Sequence, residues 1–92
     1  MKLWGIIRRD NQMVADAVTE THYETPALVG DWSDVIGELC AAFDLPRPVI
    51  LKKHVRELRE FSHTVFKAQD FIEPIDFDRF EISIFYDKDK KK

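Results

Sequence analysis

Residues 48–67, PVILKKHVRELREFSHTVFK, decide how this chain folds. The first five, Pro48 to Lys52, form a short apolar and β-branched run, which reads as a strand. From Lys53 to Phe66 the pattern changes to a helical period, with Val55, Leu58, Phe61 and Val65 on one side. The start of that helix lacks a strong capping residue. Its last turn, with Ser62, Thr64 and Val65, is built from weak helix formers.

Working outward, residues 31–44, DWSDVIGELCAAFD, hold the clearest pattern in the chain. Trp32, Val35, Ile36, Leu39, Cys40 and Phe43 recur at helical spacing and form one continuous apolar stripe. Asp31 suits the N-cap, where a carboxylate accepts from unpaired backbone N–H groups. Pro46 disfavours helical backbone at Leu45, so the helix should stop by Asp44. Further back, Leu3 to Arg9 reads as a strand and Asp10-Asn11-Gln12 as a tight turn. Met13 to Thr21 is the returning strand. Val14, Asp16, Val18 and Glu20 share one face of it; Met13, Ala15, Ala17 and Thr19 share the other. Neither face is strongly apolar, which places the strand at an edge, with Asp16 and Glu20 guarding it. His22 to Gly30 is a loop, punctuated by Pro26 and Gly30.

On the C-terminal side, Asp70 to Asp78 is irregular around Pro74. Arg79 to Tyr86 is a strand, with Phe80, Ile82, Ile84 and Tyr86 alternating with Glu81, Ser83 and Phe85. The expected order is ββαβαβ. That is an α+β two-layer sandwich, a four-stranded mixed sheet with two helices on one face. If the third and fourth strands are parallel neighbours, the second helix is their right-handed crossover; the sequence leaves the strand order open. Residues 1–87 make one domain, and 88–92 a charged, frayed tail.

Phe71-Ile72-Glu73, Ile75-Asp76-Phe77-Asp78 and Glu81-Ile82, preceded by Phe43-Asp44-Leu45 and Arg47-Pro48, resemble a family of short bacterial proteins of unknown function. Lys2, Leu3, Trp4 and Gly5 are similar to it too. The resemblance implies a bacterial cytosolic protein and transfers no catalytic or binding residues.

The composition fits one small folded unit. Of 92 residues, 45% are apolar and 12% aromatic, enough to fill a core. A single cysteine, Cys40, cannot form a disulfide within the chain, which favours a reducing compartment. No signal-peptide pattern is visible, and no apolar run approaches the ~20 residues of a membrane span. The expected location is the cytoplasm. The net charge of −3 is unevenly spread. Residues 1–45 carry three basic and eight acidic side chains, whereas residues 46–68 carry six basic and two acidic.

That basic middle supplies the best candidate surface. Lys52, Arg56, Arg59, His63 and Lys67 fall within a sector of roughly 80° on an ideal helix. Arg56, Arg59, His63 and Lys67 are the proposed interaction face, since such a ridge can neutralise phosphates or meet an acidic partner. The simpler reading is a solvated face, diluted by Lys53–Glu57 and Arg56–Glu60 pairs at i, i+4. No glycine-rich loop or aromatic RNA-binding motif accompanies the ridge.

Other candidates have plainer explanations. His22, His54 and His63 lack metal-ligand spacing, and Cys40 belongs to the apolar stripe. His54 reads as a hydrogen-bonded packing histidine. Asp70, Glu73, Asp76 and Asp78 fail the Ca²⁺-loop pattern and read as turn and cap residues. His22, Tyr23, Glu24 and Thr25 could line a small pocket in their loop. Ser33, Ser62 and Ser83 have no nucleophile context. Trp4 and Trp32 read as core. No cofactor or metal site is expected, and no catalytic constellation can be nominated. The chain thus reads as a small binding or regulatory module acting through a protein partner or a homodimer. The alternative is a nucleic-acid-associated protein using the basic ridge.

Overall fold

Asp10 and Asn11 adopt left-handed backbone, φ 55° and 65°. A two-residue hairpin turn requires that pair of angles, and Asp and Asn tolerate them. They join β1 (Lys2–Arg9) to β2 (Gln12–Glu20). The structure, a computed structural model, describes residues 1–85, so Tyr86 and the charged tail at 88–92 lie outside the described residues. In the hairpin, Ile7 pairs with Ala15 but Arg8 with Met13, so Val14 is an extra, bulged residue. The bulge brings Met13 to the Asp16 side of the sheet, not the Ala15 side that strict alternation implies. As expected, β2 is an edge strand, exposed along most of its length.

The helix α1 (Trp32–Ala42) matches its sequence pattern. Asp31 Oδ1 accepts from Ser33 N at 3.0 Å. Asp44, at φ 58°, turns the chain out of the helix. Trp32, Val35, Ile36, Leu39 and Cys40 are buried against the sheet. Gly5 of β1 permits this close approach. A Cβ there would lie 2.9 Å from Phe43 Cε2 and 3.0 Å from both Leu39 Cδ2 and Phe80 Cε1.

Residues 48–67 fold differently from the reading above. Pro48 to Lys52 is not a strand. Pro48 forms one isolated bridge with Phe71, and Val49 N donates to Asp70 O at 2.7 Å. Lys52 already begins α2 (Lys52–Phe61). That helix stops five residues earlier than its period suggests, because Ser62 turns left-handed at φ 59°. His63–Lys67 is β3, with Thr64 and Phe66 buried and their neighbours more exposed. The run Thr64-Val65-Phe66 combines β-branched and aromatic side chains, which fit a pleated surface better than a helix.

The last strand, β4 (Arg79–Phe85), lies between β1 and β3. The sheet order is β2-β1-β4-β3 and every pair is antiparallel. Among the described residues the sheet is therefore not mixed, no parallel crossover exists, and the element order, short 3-10 turns aside, is ββααββ. The α+β class and the four-stranded count stand. The core lies between the sheet and both helices. Leu3, Ile7, Phe66, Phe80, Ile82 and Ile84 meet α1 and Leu58 of α2. Phe71 and Phe77, edge to face at 5.6 Å, belong to the same cluster. No helix among the described residues is long and apolar enough to cross a membrane.

Candidate functional site

The candidate site is built around α2. Its period turns His54 and Leu58 inward and leaves Lys52, Lys53, Arg56 and Arg59 exposed. No serine, threonine or aspartate caps its start. Instead His54 Nδ1 accepts from Leu51 N at 2.9 Å. The ring packs on Phe66, centroids 4.2 Å apart. Its Nε2 lies 3.8 Å from Asp70 Oδ2, beyond hydrogen-bond range. Burial pushes the His54 pKa below its usual value, while the Asp70 carboxylate opposes that shift. His54 is thus a packing and capping residue, buried more deeply than the sequence suggests.

Beside α2 runs an open groove of about 440 Å³. Ile50, Leu51 and Val55 supply its apolar part; Lys52, Arg56 and Arg59 supply cations, with Glu60 the acid among the lining residues. Arg59 is held in place, its Nη2 donating to Val29 O at 3.4 Å. The diluting pairs read from the sequence do not form. Among the described residues, neither Lys53–Glu57 nor Arg56–Glu60 closes to an ion pair. Glu57 Oε1 instead accepts from Thr64 Oγ1 at 2.6 Å.

The basic ridge is divided. Arg56 and Arg59 line the groove, but His63 and Lys67 belong to β3, beyond the turn at Ser62. They line a second hollow of about 430 Å³, together with Lys53, Glu57, Phe61 and Val65. The physical reason is the helix stop at Ser62. A helical spacing of 11 and 15 residues has no meaning once the backbone becomes extended. Ile50 and Leu51 are the residues of the site that the sequence reading misassigned. Their apolar side chains next to Lys52 were the signal, read there as a strand.

The remaining candidates are accounted for locally. Asp70 Oδ2 accepts from Lys67 N at 2.8 Å, and Asp78 Oδ2 from Asp10 N at 2.8 Å. Asp76 faces Arg9 at 3.5 Å. Asp70 and Asp78 are caps and turn partners, as expected, whereas the Asp76 carboxylate is an ion-pair partner. Among the described residues no three His, Cys, Asp or Glu side chains could hold a metal. Cys40 is buried, and burial raises its pKa to about 11, so little thiolate forms at neutral pH. Ser33 Oγ donates to Asp31 Oδ1 at 2.6 Å. The rings of His22 and Tyr23 lie 4.2 Å apart, tilted by 31°, and the N-terminal ammonium donates to Tyr23 O at 2.7 Å, which ties this loop to the start of β1. Trp32 is core, but Trp4 is not. It stands on the helix-free face, where its Nε1 donates to Asp16 Oδ2 at 2.8 Å. Comparisons with protein families, curated proteins and solved structures give no match, so the functional reading rests on this geometry.

Proposed function

We propose that this chain is a small cytoplasmic module that binds a protein partner through the α2 groove. The observation that carries this is the composition of the groove: Ile50, Leu51 and Val55 next to Lys52, Arg56 and Arg59. Apolar area gives affinity, and a cationic rim gives orientation and a fast encounter with an opposite charge. The complementary ligand is a protein segment with apolar side chains flanked by aspartate or glutamate. Polynucleotide binding is less well supported. Its cations would need to follow a phosphate track, and the break at Ser62 divides them between two hollows.

The test uses a fluorescent peptide of alternating acidic and leucine residues, measured by anisotropy at ~50 mM salt, where screening is modest. Binding is expected, and Arg56→Glu with Arg59→Glu should weaken it by roughly tenfold to a hundredfold. Equal affinity of the double variant would refute the assignment. Tighter binding of a single-stranded oligonucleotide than of the peptide would favour the nucleic-acid reading instead.

A further inference from the structure

The helix-free face of the sheet has a charge pattern that runs from one edge strand to the other. Asp16 and Glu20 stand on β2 at one edge, and His63 and Lys67 on β3 at the opposite edge. Between the edges lies an apolar strip. Val18 is the cross-strand partner of Trp4, and the Trp4 and Phe85 rings are 5.9 Å apart. Val18 is 56% exposed and Phe85 51%, while Ile6 beside them is only 4% exposed. Both helices pack on the other side, against Gly5, Phe66 and Phe80.

We propose that a second copy of this chain covers this face, in an isologous dimer whose twofold axis runs along the strands between the two sheets. Two stacked sheets keep their strands within about 30° of each other, which leaves two ways to apply the twofold. If the axis runs across the strands, each strand meets its own copy. Asp16 and Glu20 then oppose the same acids, and Lys67 faces His63 and Lys67. If the axis runs along the strands, the order β2-β1-β4-β3 meets β3-β4-β1-β2. The acidic column of β2 then opposes the basic column of β3, and Asp16 sits between the partner's His63 and the partner's Lys67. The same rotation keeps each row level, so the Trp4–Phe85 pair on the two central strands meets its own copy diagonally, while Val18 lies opposite the partner's His63. Arg8 comes opposite the partner's Arg79 in this arrangement, and Glu81 of the same chain offsets that contact, 3.0 Å from Arg8 and 3.8 Å from Arg79. This surface is separate from the α2 groove, and the dimer does not depend on that assignment.

The area sets the strength. Four strands about 4.8 Å apart and ~24 Å long offer a footprint of roughly 450 Å² per copy. That is about half of the ~800 Å² per partner in a standard interface, so a weak, concentration-dependent dimer is expected.

Sedimentation equilibrium of the full chain from ~10 to ~500 µM at low salt reads this directly. The wild type should show a monomer–dimer equilibrium that weakens as salt is added. Asp16→Lys and Lys67→Glu should each weaken dimerisation at least about tenfold, and an equimolar mixture of the two should recover it. The loss in each single variant is specific to the β2-over-β3 arrangement, because where each strand meets its own copy either substitution only exchanges one like-charge contact for another. Val18→Lys, at an exposed position, should abolish the dimer while the circular dichroism spectrum stays native. A wild type that is monomeric throughout, single variants that dimerise normally, or a mixture that does not recover would each overturn the proposal.

Discussion

Phe80→Ala is expected to lower stability by about 3–5 kcal/mol, the usual range for deleting a fully buried phenylalanine. Phe80 is 0% exposed and lies where the whole fold converges. Its ring meets Phe43 edge to face at 5.6 Å and stacks near Phe66 at 6.4 Å. Its Cε1 also approaches the backbone of Gly5. The side chain thus ties β4 to β1, β3 and the end of α1 at once, and the cavity left by alanine cannot collapse without moving several elements. A domain of this size has roughly 5–14 kcal/mol of total stability, so the variant should lose a large part of it. Urea denaturation followed by circular dichroism should show a much lower midpoint with an unchanged slope. Phe61→Ala is the control. Phe61 is 70% exposed, and its loss should cost no more than about 0.5 kcal/mol. A loss below about 1 kcal/mol for Phe80→Ala would mean that the sheet and α1 are not packed as described.

Acid should destabilise the fold through His54. Burial lowers the pKa of this imidazole, and Asp70 only partly offsets it. In the unfolded chain a histidine takes up a proton near pH ~6.5. Below that pH the unfolded state binds more protons than the folded state, so stability falls as pH drops. The contribution is complete above the unfolded value and is lost progressively down to the lowered folded value, at up to about 1.4 kcal/mol per pH unit. Charging the ring also puts a proton on Nδ1, where it opposes the Leu51 N–H that now donates to that nitrogen. The start of α2, and with it the groove, is therefore the part most exposed to acid. Urea midpoints at several pH values between about 7.5 and 5, for wild type and His54→Leu, test this. The wild type should lose stability more steeply than the variant across the histidine range. Parallel pH profiles, or a wild type that gains stability on acidification, would contradict the account.

Much of the fold can be read from single residues. Asp10 and Asn11 announce the hairpin because few other side chains accept two consecutive positive φ angles. Asp31 announces the start of α1, and the even period of residues 79–85 announces β4. The misreading at 48–67 has a local cause. Val65 continues the helical stripe of Val55, Leu58 and Phe61, yet it also belongs to a strand pattern. Periodicity does not separate the two at a junction, and the pairing of Phe66 with Phe80 settles it through long-range contact. The cap of α2 was equally hidden. Glutamate or glutamine is the usual N3 partner of an N-cap N–H, and the part His54 plays at N3 becomes visible only when Leu51 N is seen 2.9 Å from Nδ1. The candidate site was therefore half legible. Arg56 and Arg59 are where the helical spacing puts them, whereas the sequence sent His63 and Lys67 to the same face, and their place in β3 follows from tertiary pairing.

Binding of an acidic, apolar protein segment in the α2 groove is the proposed function. Its most direct test is a titration of isotope-labelled protein with such a peptide, followed through backbone amide shifts. The account predicts saturable shifts confined to residues 50–60 and the neighbouring Val29, with the β2 edge unaffected. Shifts centred on Val18, Trp4 and Phe85, or no saturation at any accessible concentration, would contradict it.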